Sequence, residues 1–298
     1  MLTALPAPLR GALAFVALAL NTLACAATLF PLAALRLVLP WRAARRRLDP
    51  WLNAVATGWI AGNGVWMRAT QRTEWDVQGH EALPYHGWYM VTCNHQSWAD
   101  IFVLQRVFNR RIPLLKFFLK HELIYVPVIG LAWWALDFPF MRRHSDAVLR
   151  RDPDKRRQDI DATRRACAKF ALVPTSVMNF VEGTRFTAAK HAAQGTPWRH
   201  LLAPKAGGLA AALEALGDQF DSLLDVTIVY PDGVPGFWDF LCGRVPRVVV
   251  RMQRRAIPAD CREGGPAQRR HVQRWLRVLW HEKDLQIGTL LRPADGTR

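Results

Sequence analysis

The sequence predicts an α/β protein, a mixed β-sheet flanked by helices, behind an N-terminal membrane helix and an interfacial helix. Two observations support this fold class. After residue 72, short uncharged β-prone segments alternate with helical ones, the pattern of an α/β layer fold. Before that point, a run from Gly11 to Leu35 contains no charged residue. We therefore expect an anchor with a basic flank (1–47), a membrane-apposed helix (48–72) and a globular domain (73–298).

The run from Gly11 to Leu35 is long enough to cross a bilayer as a helix, because about 20 residues suffice. A cleaved signal peptide is the alternative, but the run is longer than a usual signal core and lacks a convincing cleavage site. One arginine precedes the run and five follow it within residues 36–47. Because the more positive flank tends to stay in the cytoplasm, we expect the rest of the chain there.

The next apolar stretch, residues 51–69, contains Trp51, Trp59 and Trp66. Its two asparagines and three glycines make it a poor spanning helix. Tryptophan is favoured at the membrane–water interface, so a helix lying along the membrane is the better interpretation. An ordinary core helix is the alternative.

The rest of the chain alternates between strands and helices. Gly217 ends the predicted helix 205–216, and Pro231 ends the predicted strand 225–230. The predicted strands are 87–93, 172–180, 225–230 and 247–252, and the predicted helices are 98–108, 205–216 and 266–284.

Composition narrows the class of protein. A net charge of +16 suits a protein that binds nucleic acid, an anionic membrane face or phosphorylated small molecules. Thirteen tryptophans favour the membrane. The basic residues are dispersed, and no helix-turn-helix, RNA-recognition or zinc-finger pattern occurs, so nucleic-acid binding is the weaker alternative. The five cysteines form no CxxC and no Cys/His cluster, so we expect neither a metal site nor a disulfide framework.

His95 and Asp100 lie where a predicted strand gives way to a helix. If His95 occupies the turn and Asp100 the first helical turn, Asp100 accepts the Nδ1 proton and leaves Nε2 free as a general base. The pair has no serine or cysteine nucleophile of its own, so the attacking hydroxyl would belong to a substrate. Ser97 leaves a Ser–His alternative open, which the absence of a GxSxG elbow weakens.

The segment Phe180-Val-Glu-Gly-Thr-Arg185 follows a predicted strand, where α/β folds place ligands. Gly183 lets the backbone approach a ligand closely, and Arg185 can direct two N–H bonds onto a phosphate. Glu182 could pair with Arg185 or with a ligand hydroxyl; a purely structural Glu–Arg pair is the alternative. Upstream, residues 120–143 form an apolar segment with basic ends, which suits either an amphipathic ligand or plain core.

Together these segments resemble the four motifs of the glycerolipid acyltransferases, the family of 1-acylglycerol-3-phosphate acyltransferase. The resemblance covers residues 75–230, and local matches are similar to the branch with bacterial inner-membrane and lysocardiolipin-type enzymes. The motifs are, in chain order, Asn94-His95-x4-Asp100, Phe140-Met-Arg-Arg143, Phe180-Val-Glu-Gly-Thr-Arg185 and Val229-Tyr-Pro231. One departure is Asp137, where many family members have glycine.

The resemblance implies roles for individual residues and makes residues 73–298 the catalytic domain. His95 would be the base and Asp100 its orienting partner. Pro231 would shape the acyl-donor side. The acceptor and its phosphate would be bound by Arg143, Glu182, Gly183, Thr184 and Arg185.

The implied reaction moves a fatty acyl group from a thioester to the hydroxyl of a lysophospholipid, most readily 1-acyl-sn-glycerol-3-phosphate. Acyl-CoA or acyl-carrier-protein would be the co-substrate, and no cofactor is expected. The implied location is the cytoplasmic side of the bacterial inner membrane, with phospholipid as a partner. A membrane-bound thioesterase or lipid hydrolase, which would use water, is the alternative.

Overall fold

The computed structural model describes residues 2–79, 83–141, 161, 173–265 and 267–292. Its centre is a six-stranded sheet in the order β1-β8-β7-β2-β6-β3, and a two-stranded sheet pairs β4 with β5. Neighbouring strands are parallel except β7 and β8. The strands are Glu74–Gln78 (β1), Tyr89–Cys93 (β2), Leu115–Phe117 (β3), Leu119–Lys120 (β4), Phe140–Met141 (β5), Ser176–Asn179 (β6), Ser222–Val229 (β7) and Arg247–Arg255 (β8).

Helices cover both faces of the large sheet. One face packs against α1 to α4 in a core that includes Trp66, Val91 and Leu104. The other packs against α6 and α8 in a core that includes Leu213 and Trp280. The described α-helices are Ala7–Val38 (α1), Arg42–Thr70 (α2), Ala99–Phe108 (α3), Ile129–Ala135 (α4), Ala188–Gln194 (α5), Ala206–Leu216 (α6), Phe237–Leu241 (α7) and Gln268–Leu290 (α8).

The predicted α/β fold class is confirmed, and the predicted strands and helices of the globular domain are present within a few residues. Two strands of the large sheet, β1 and β3, are absent from the sequence prediction. Both are edge strands: β1 is Glu-Trp-Asp-Val-Gln with its ends exposed, and β3 has only three residues. Short or charged edge strands carry little of the apolar pattern that reveals a central strand.

The N-terminal helices form an antiparallel pair. The Asn21 side chain on α1 donates to the carbonyl of Trp59 (2.8 Å) and to Asn63 Oδ1 (2.9 Å) on α2. The expected boundary between residues 47 and 48 falls inside α2, which is continuous from Arg42 to Thr70. Trp66 is buried against α3 and α7, whereas Trp51 is exposed, so α2 combines a core face with a solvent face.

Both ends of α1 contact the globular domain. Near its start, a Cβ on Gly11 would come within 2.5 Å of Cys242 Sγ, which shows how closely α1 packs beside α7. Near its end, Arg36 donates to Asp137 Oδ2 (2.9 Å) just beyond α4. A helix of 32 residues is about 48 Å long, so α1 lies along the domain for most of its length.

Asp137 occupies the position where the family resemblance leads one to expect glycine. Its φ of 57° is in the left-handed region, which glycine adopts freely and aspartate tolerates better than most residues. Here the carboxylate binds Arg36 and Arg45 (2.9 and 2.7 Å), which belong to α1 and α2. The departure from glycine thus adds a tie between the N-terminal helices and the domain.

Candidate active site

The candidate site lies at the carboxyl edge of the parallel strands. β2 pairs with β6 on one side and β7 on the other, all in the same direction, so the residues that follow them converge. His95 follows β2, Glu182 follows β6 and Tyr230 follows β7. This edge is where open α/β sheets bind ligands.

The structure brings His95 and Asp100 into contact. His95 Nδ1 lies 2.8 Å from Asp100 Oδ2, which also accepts the backbone N–H groups of Gln96 (2.7 Å) and Ser97 (2.9 Å). A carboxylate oxygen with two N–H donors acts as an acceptor, so Nδ1 carries the hydrogen and Nε2 is the ring nitrogen left for a proton. Asp100 is fully buried in the first turn of α3, as the spacing predicts.

Hydrogen bonds from the His95 segment hold both the end of β7 and the loop after it. Asn94 exchanges two bonds with the backbone of Ile228 (2.8 and 2.9 Å). Ser97 Oγ donates to the carbonyl of Pro235 (2.6 Å) and accepts from Ala99 N (3.1 Å). Ser97 is therefore engaged away from the imidazole, and within the described part of the chain no hydroxyl or thiol is hydrogen-bonded to His95. These contacts contradict the Ser–His alternative.

The His95 ring packs against aromatic side chains. It stacks on Phe180 with a centroid separation of 3.9 Å, and Phe180 in turn stacks on Phe117. The backbone carbonyl of His95 accepts from Phe186 N (2.7 Å). The side chain keeps 13% exposure, so a substrate can reach one edge of a ring whose orientation is fixed.

Glu182 lies inside the site, not on its surface. It is fully buried, and its two oxygens accept the backbone N–H groups of His95 (2.8 Å) and Leu202 (2.9 Å). Burial raises the pKa of Glu182 to about 8, against the opposing effect of these two bonds. The pairing with Arg185 that the sequence left open is not formed: the left-handed turn at Gly183 (φ 73°) lies between the buried Glu182 and the exposed Arg185.

Exposed cations lie on the segment that follows Glu182. The Arg185 guanidinium stacks 4.9 Å from the ring centroid of Trp98. Lys190 Nζ donates to Thr184 Oγ1 (2.7 Å) and to the carbonyl of Arg185 (3.0 Å). Arg185 and Lys190 thus present two positive charges on the segment whose Phe186 N–H binds the carbonyl of His95. Two exposed cations on one segment are suited to a phosphate. Arg143, the other expected phosphate ligand, lies outside the described residues.

Sequence reasoning assigned no role in the site to three residues that contribute to it. Trp98 supports Arg185, Lys190 supplies the second cation, and the Tyr230 hydroxyl donates to Asp100 Oδ1 (2.6 Å). The position of Tyr230, immediately before Pro231 at the end of a strand, was the available signal. Pro231 is the second residue after β7 and is partly exposed. Within the described ranges, no three His, Cys, Asp or Glu side chains are grouped to hold a metal ion.

The fold and these contacts define an α/β protein with a buried carboxylate that orients a histidine at the strand ends. A family model described as Acyltransferase matches residues 74–231, and the chain belongs to this family.

Among similar proteins, human 1-acyl-sn-glycerol-3-phosphate acyltransferase gamma is 28% identical over 176 residues, 55% of this chain and 43% of that protein. The delta enzyme of Mus musculus is 26% identical over 225 residues, 68% of this chain and 54% of that protein. The chain therefore spans about half the length of these relatives.

A solved structure shares the fold. The crystal structure of the 1-acyl-sn-glycerophosphate (LPA) acyltransferase PlsC from Thermotoga maritima superposes with a TM-score of 0.50. The superposition covers 94% of this chain and 100% of that chain at 15% identity.

Proposed function

We propose that the protein is a membrane-bound O-acyltransferase that moves a fatty acyl group from a thioester to the hydroxyl of a lysophospholipid. The observation that carries this proposal is the hydrogen bonding of the His95 imidazole. Asp100 binds its Nδ1, and no described hydroxyl or thiol of the chain is hydrogen-bonded to the imidazole. A base oriented in this way, with no protein nucleophile beside it, is suited to activate a substrate hydroxyl.

The reaction then follows from general base catalysis. His95 Nε2 takes the proton of the acceptor hydroxyl while that oxygen bonds to the thioester carbonyl carbon. A tetrahedral oxyanion forms, the C–S bond breaks, and the leaving thiolate takes the proton back from His95. Asp100 stabilises the imidazolium between these steps, because its carboxylate accepts the Nδ1–H bond.

The acceptor we propose is 1-acyl-sn-glycerol-3-phosphate, with acyl-CoA or acyl-carrier-protein as donor. Arg185 and Lys190 support a phosphate-bearing acceptor, since both cations are exposed on the segment whose Phe186 N–H binds the carbonyl of His95. The similar proteins are named for the same acceptor. We propose that Arg143 adds a third cation and that Pro231 shapes the donor side.

Helix α1 supports attachment to a membrane. It is the one described helix that is long and apolar enough to cross a bilayer, and Phe15, Leu20 and Leu23 on it are more than half exposed. Because both of its ends contact the globular domain, we propose that α1 enters the lipid with this exposed face and does not extend away as a separate spanning anchor. The proposed location is the cytoplasmic face of a bacterial inner membrane.

The test is a thiol-release assay with acyl-CoA, with and without 1-acyl-sn-glycerol-3-phosphate. The wild type should release thiol only when the acceptor is present, and phosphatidic acid should appear in equal amount. His95→Ala should lower turnover by at least about a hundredfold, the typical contribution of a general base, while His281→Ala on the exposed face of α8 should not. Equal thiol release without acceptor would identify a hydrolase instead.

A further inference from the structure

Tyr230 contacts Asp100 at the carboxylate oxygen that does not bind His95. It is the first residue after β7, it is buried, and its hydroxyl donates to Asp100 Oδ1 (2.6 Å). Asp100 Oδ2 faces the opposite way and binds His95 Nδ1 and two backbone N–H groups. The two oxygens therefore have separate sets of partners.

The hydroxyl of Tyr230 is the hydrogen-bond partner of Asp100 that a single substitution, Tyr230→Phe, would remove. Among the described residues, it is the only hydrogen-bond donor to Asp100 Oδ1. Burial raises the pKa of Tyr230 well above its usual range, and the neighbouring Asp100 raises it further. The phenol thus stays protonated and remains a donor over the whole range in which the enzyme would be assayed.

We propose that Tyr230 is a positioning residue that acts on His95 through Asp100. Its bond fixes the carboxylate and withdraws negative charge from it, which limits how strongly Asp100 holds the imidazolium form of His95. This inference rests on the proposed function, in which His95 must first accept a proton and then return it. A carboxylate without this donor would hold the protonated imidazole more tightly, so a higher pH would be needed to free the base.

Several other ionisable groups lie near this chain of hydrogen bonds. They are Glu182 after β6, Cys93 on β2, Asp225 on β7 and Lys283 on α8. Glu182 has a pKa raised to about 8 by burial, so it contributes to any pH profile of the enzyme. We therefore compare the pH dependence of kcat/KM between variant and wild type. The groups that are unchanged contribute nearly equally to both profiles, so their effects cancel to first order.

The first experiment measures kcat/KM against pH for Tyr230→Phe and for the wild type with acyl-CoA and 1-acyl-sn-glycerol-3-phosphate. We expect the acidic limb to move to higher pH by about one unit, the size of one hydrogen bond to a charged group. Activity lost near neutral pH should return at high pH to within a few-fold of the wild type. A purely structural role would lower the rate equally at every pH and leave the limb in place.

Tyr89→Phe is the matched control, because Tyr89 is also buried and its hydroxyl donates to the carbonyl of Pro84 (2.9 Å), away from the site. Its acidic limb should not move. An unmoved limb in Tyr230→Phe, or an equal shift in Tyr89→Phe, would overturn the assignment.

A second measurement keeps the hydrogen bond and does not depend on the folding of Tyr230→Phe. The chain has four tyrosines, so a variant with Phe at the other three leaves Tyr230 alone for replacement by 3-fluorotyrosine. The more acidic phenol is a stronger donor, so the acidic limb should move to lower pH; a shift upwards, or none, would refute the proposal. Persistent turnover in His95→Ala would instead reject the proposed function itself.

Discussion

Two buried carboxylates beside His95 have different roles. Asp100 binds the imidazole, whereas Glu182 binds the backbone N–H of His95 and that of Leu202, which is 20 residues further along the chain than Glu182. Glu182 therefore holds the loop after β2 against the segment that precedes α6. Neither carboxylate is exposed, whereas His95 keeps an accessible edge and Arg185 and Lys190 are exposed.

Glu182→Gln tests the pH dependence of this buried carboxylate. The pKa of Glu182 is about 8 in the folded protein and near its ordinary value of 4.5 when unfolded. Between these values the folded state holds a proton that the unfolded state has released, so the wild type loses stability as pH rises. We expect the free energy of unfolding of the wild type, minus that of Glu182→Gln, to fall from pH 5 to pH 8. If chemical denaturation shows the same difference in unfolding free energy at every pH, Glu182 does not titrate in this range.

Arg185→Ala tests the contact with the acceptor phosphate. The guanidinium is exposed and supported by Trp98, so removing it should leave the fold unchanged. One charge-assisted hydrogen bond contributes about 1.5–3 kcal/mol, so KM for 1-acyl-sn-glycerol-3-phosphate should rise by about tenfold or more while kcat changes less. Arg270→Ala on exposed α8 is the control. If steady-state kinetics show the same KM for both variants, Arg185 does not bind that phosphate.

At the level of elements, one buried lysine joins α8 to the central sheet. Lys283 Nζ lies 2.8 Å from Asp225 Oδ1 on β7 and donates to Val226 O (2.6 Å) and Thr227 Oγ1 (3.0 Å). The side chain has no exposed surface. The next residue, Asp284, accepts the N–H groups of Arg199 and His200, so this turn of α8 also holds the loop before α6.

Lys283→Met should therefore destabilise the protein strongly. Removing one member of a buried pair leaves an uncompensated charge, here Asp225, at a cost of about 3–5 kcal/mol. Glu282→Gln is the adjacent control, because the ion pair of Glu282 with Arg255 is exposed and should contribute less than about 1 kcal/mol. Thermal unfolding in detergent compares the stability of the two variants. If both lose a similar amount of stability, the buried pair contributes no more than the exposed one.

Across the whole molecule, the sheet separates two kinds of surface. On one side lie α1 and α2, and α1 exposes a row of apolar side chains. On the other side lies α8, which exposes arginines such as Arg270, Arg274 and Arg277. If α1 enters a membrane, the α8 face is directed towards water, so the molecule has a lipid side and an aqueous side.

Leu20→Asp tests this orientation. Leu20 on α1 is 62% exposed, so a charge there should leave thermal stability nearly unchanged while opposing insertion into lipid. We expect the vesicle-bound fraction in a flotation assay to fall by several-fold. Leu285→Asp is the matched control, since Leu285 is 61% exposed on the opposite layer. Equal binding of both variants would mean that α1 is not the membrane contact.

The sequence by itself determined the local elements and the order of the motifs. Central strands such as β2 and β7 are mostly apolar and fully buried, and the five-residue spacing of His95 and Asp100 predicts their contact across a strand–helix turn. Such features are encoded by neighbouring residues, because side-chain periodicity and stop signals act over a few positions.

Only the tertiary structure decided which distant groups meet. Tyr230 reaches Asp100 across 130 positions, and Glu182 reaches the backbone of His95 across 87, because β2, β6 and β7 pair in a particular parallel register. The path of α1 along the domain likewise depends on contacts at both of its ends. Apolarity shows that a helix will be buried or enter lipid, but its partners depend on the packing of the assembled sheet and helices.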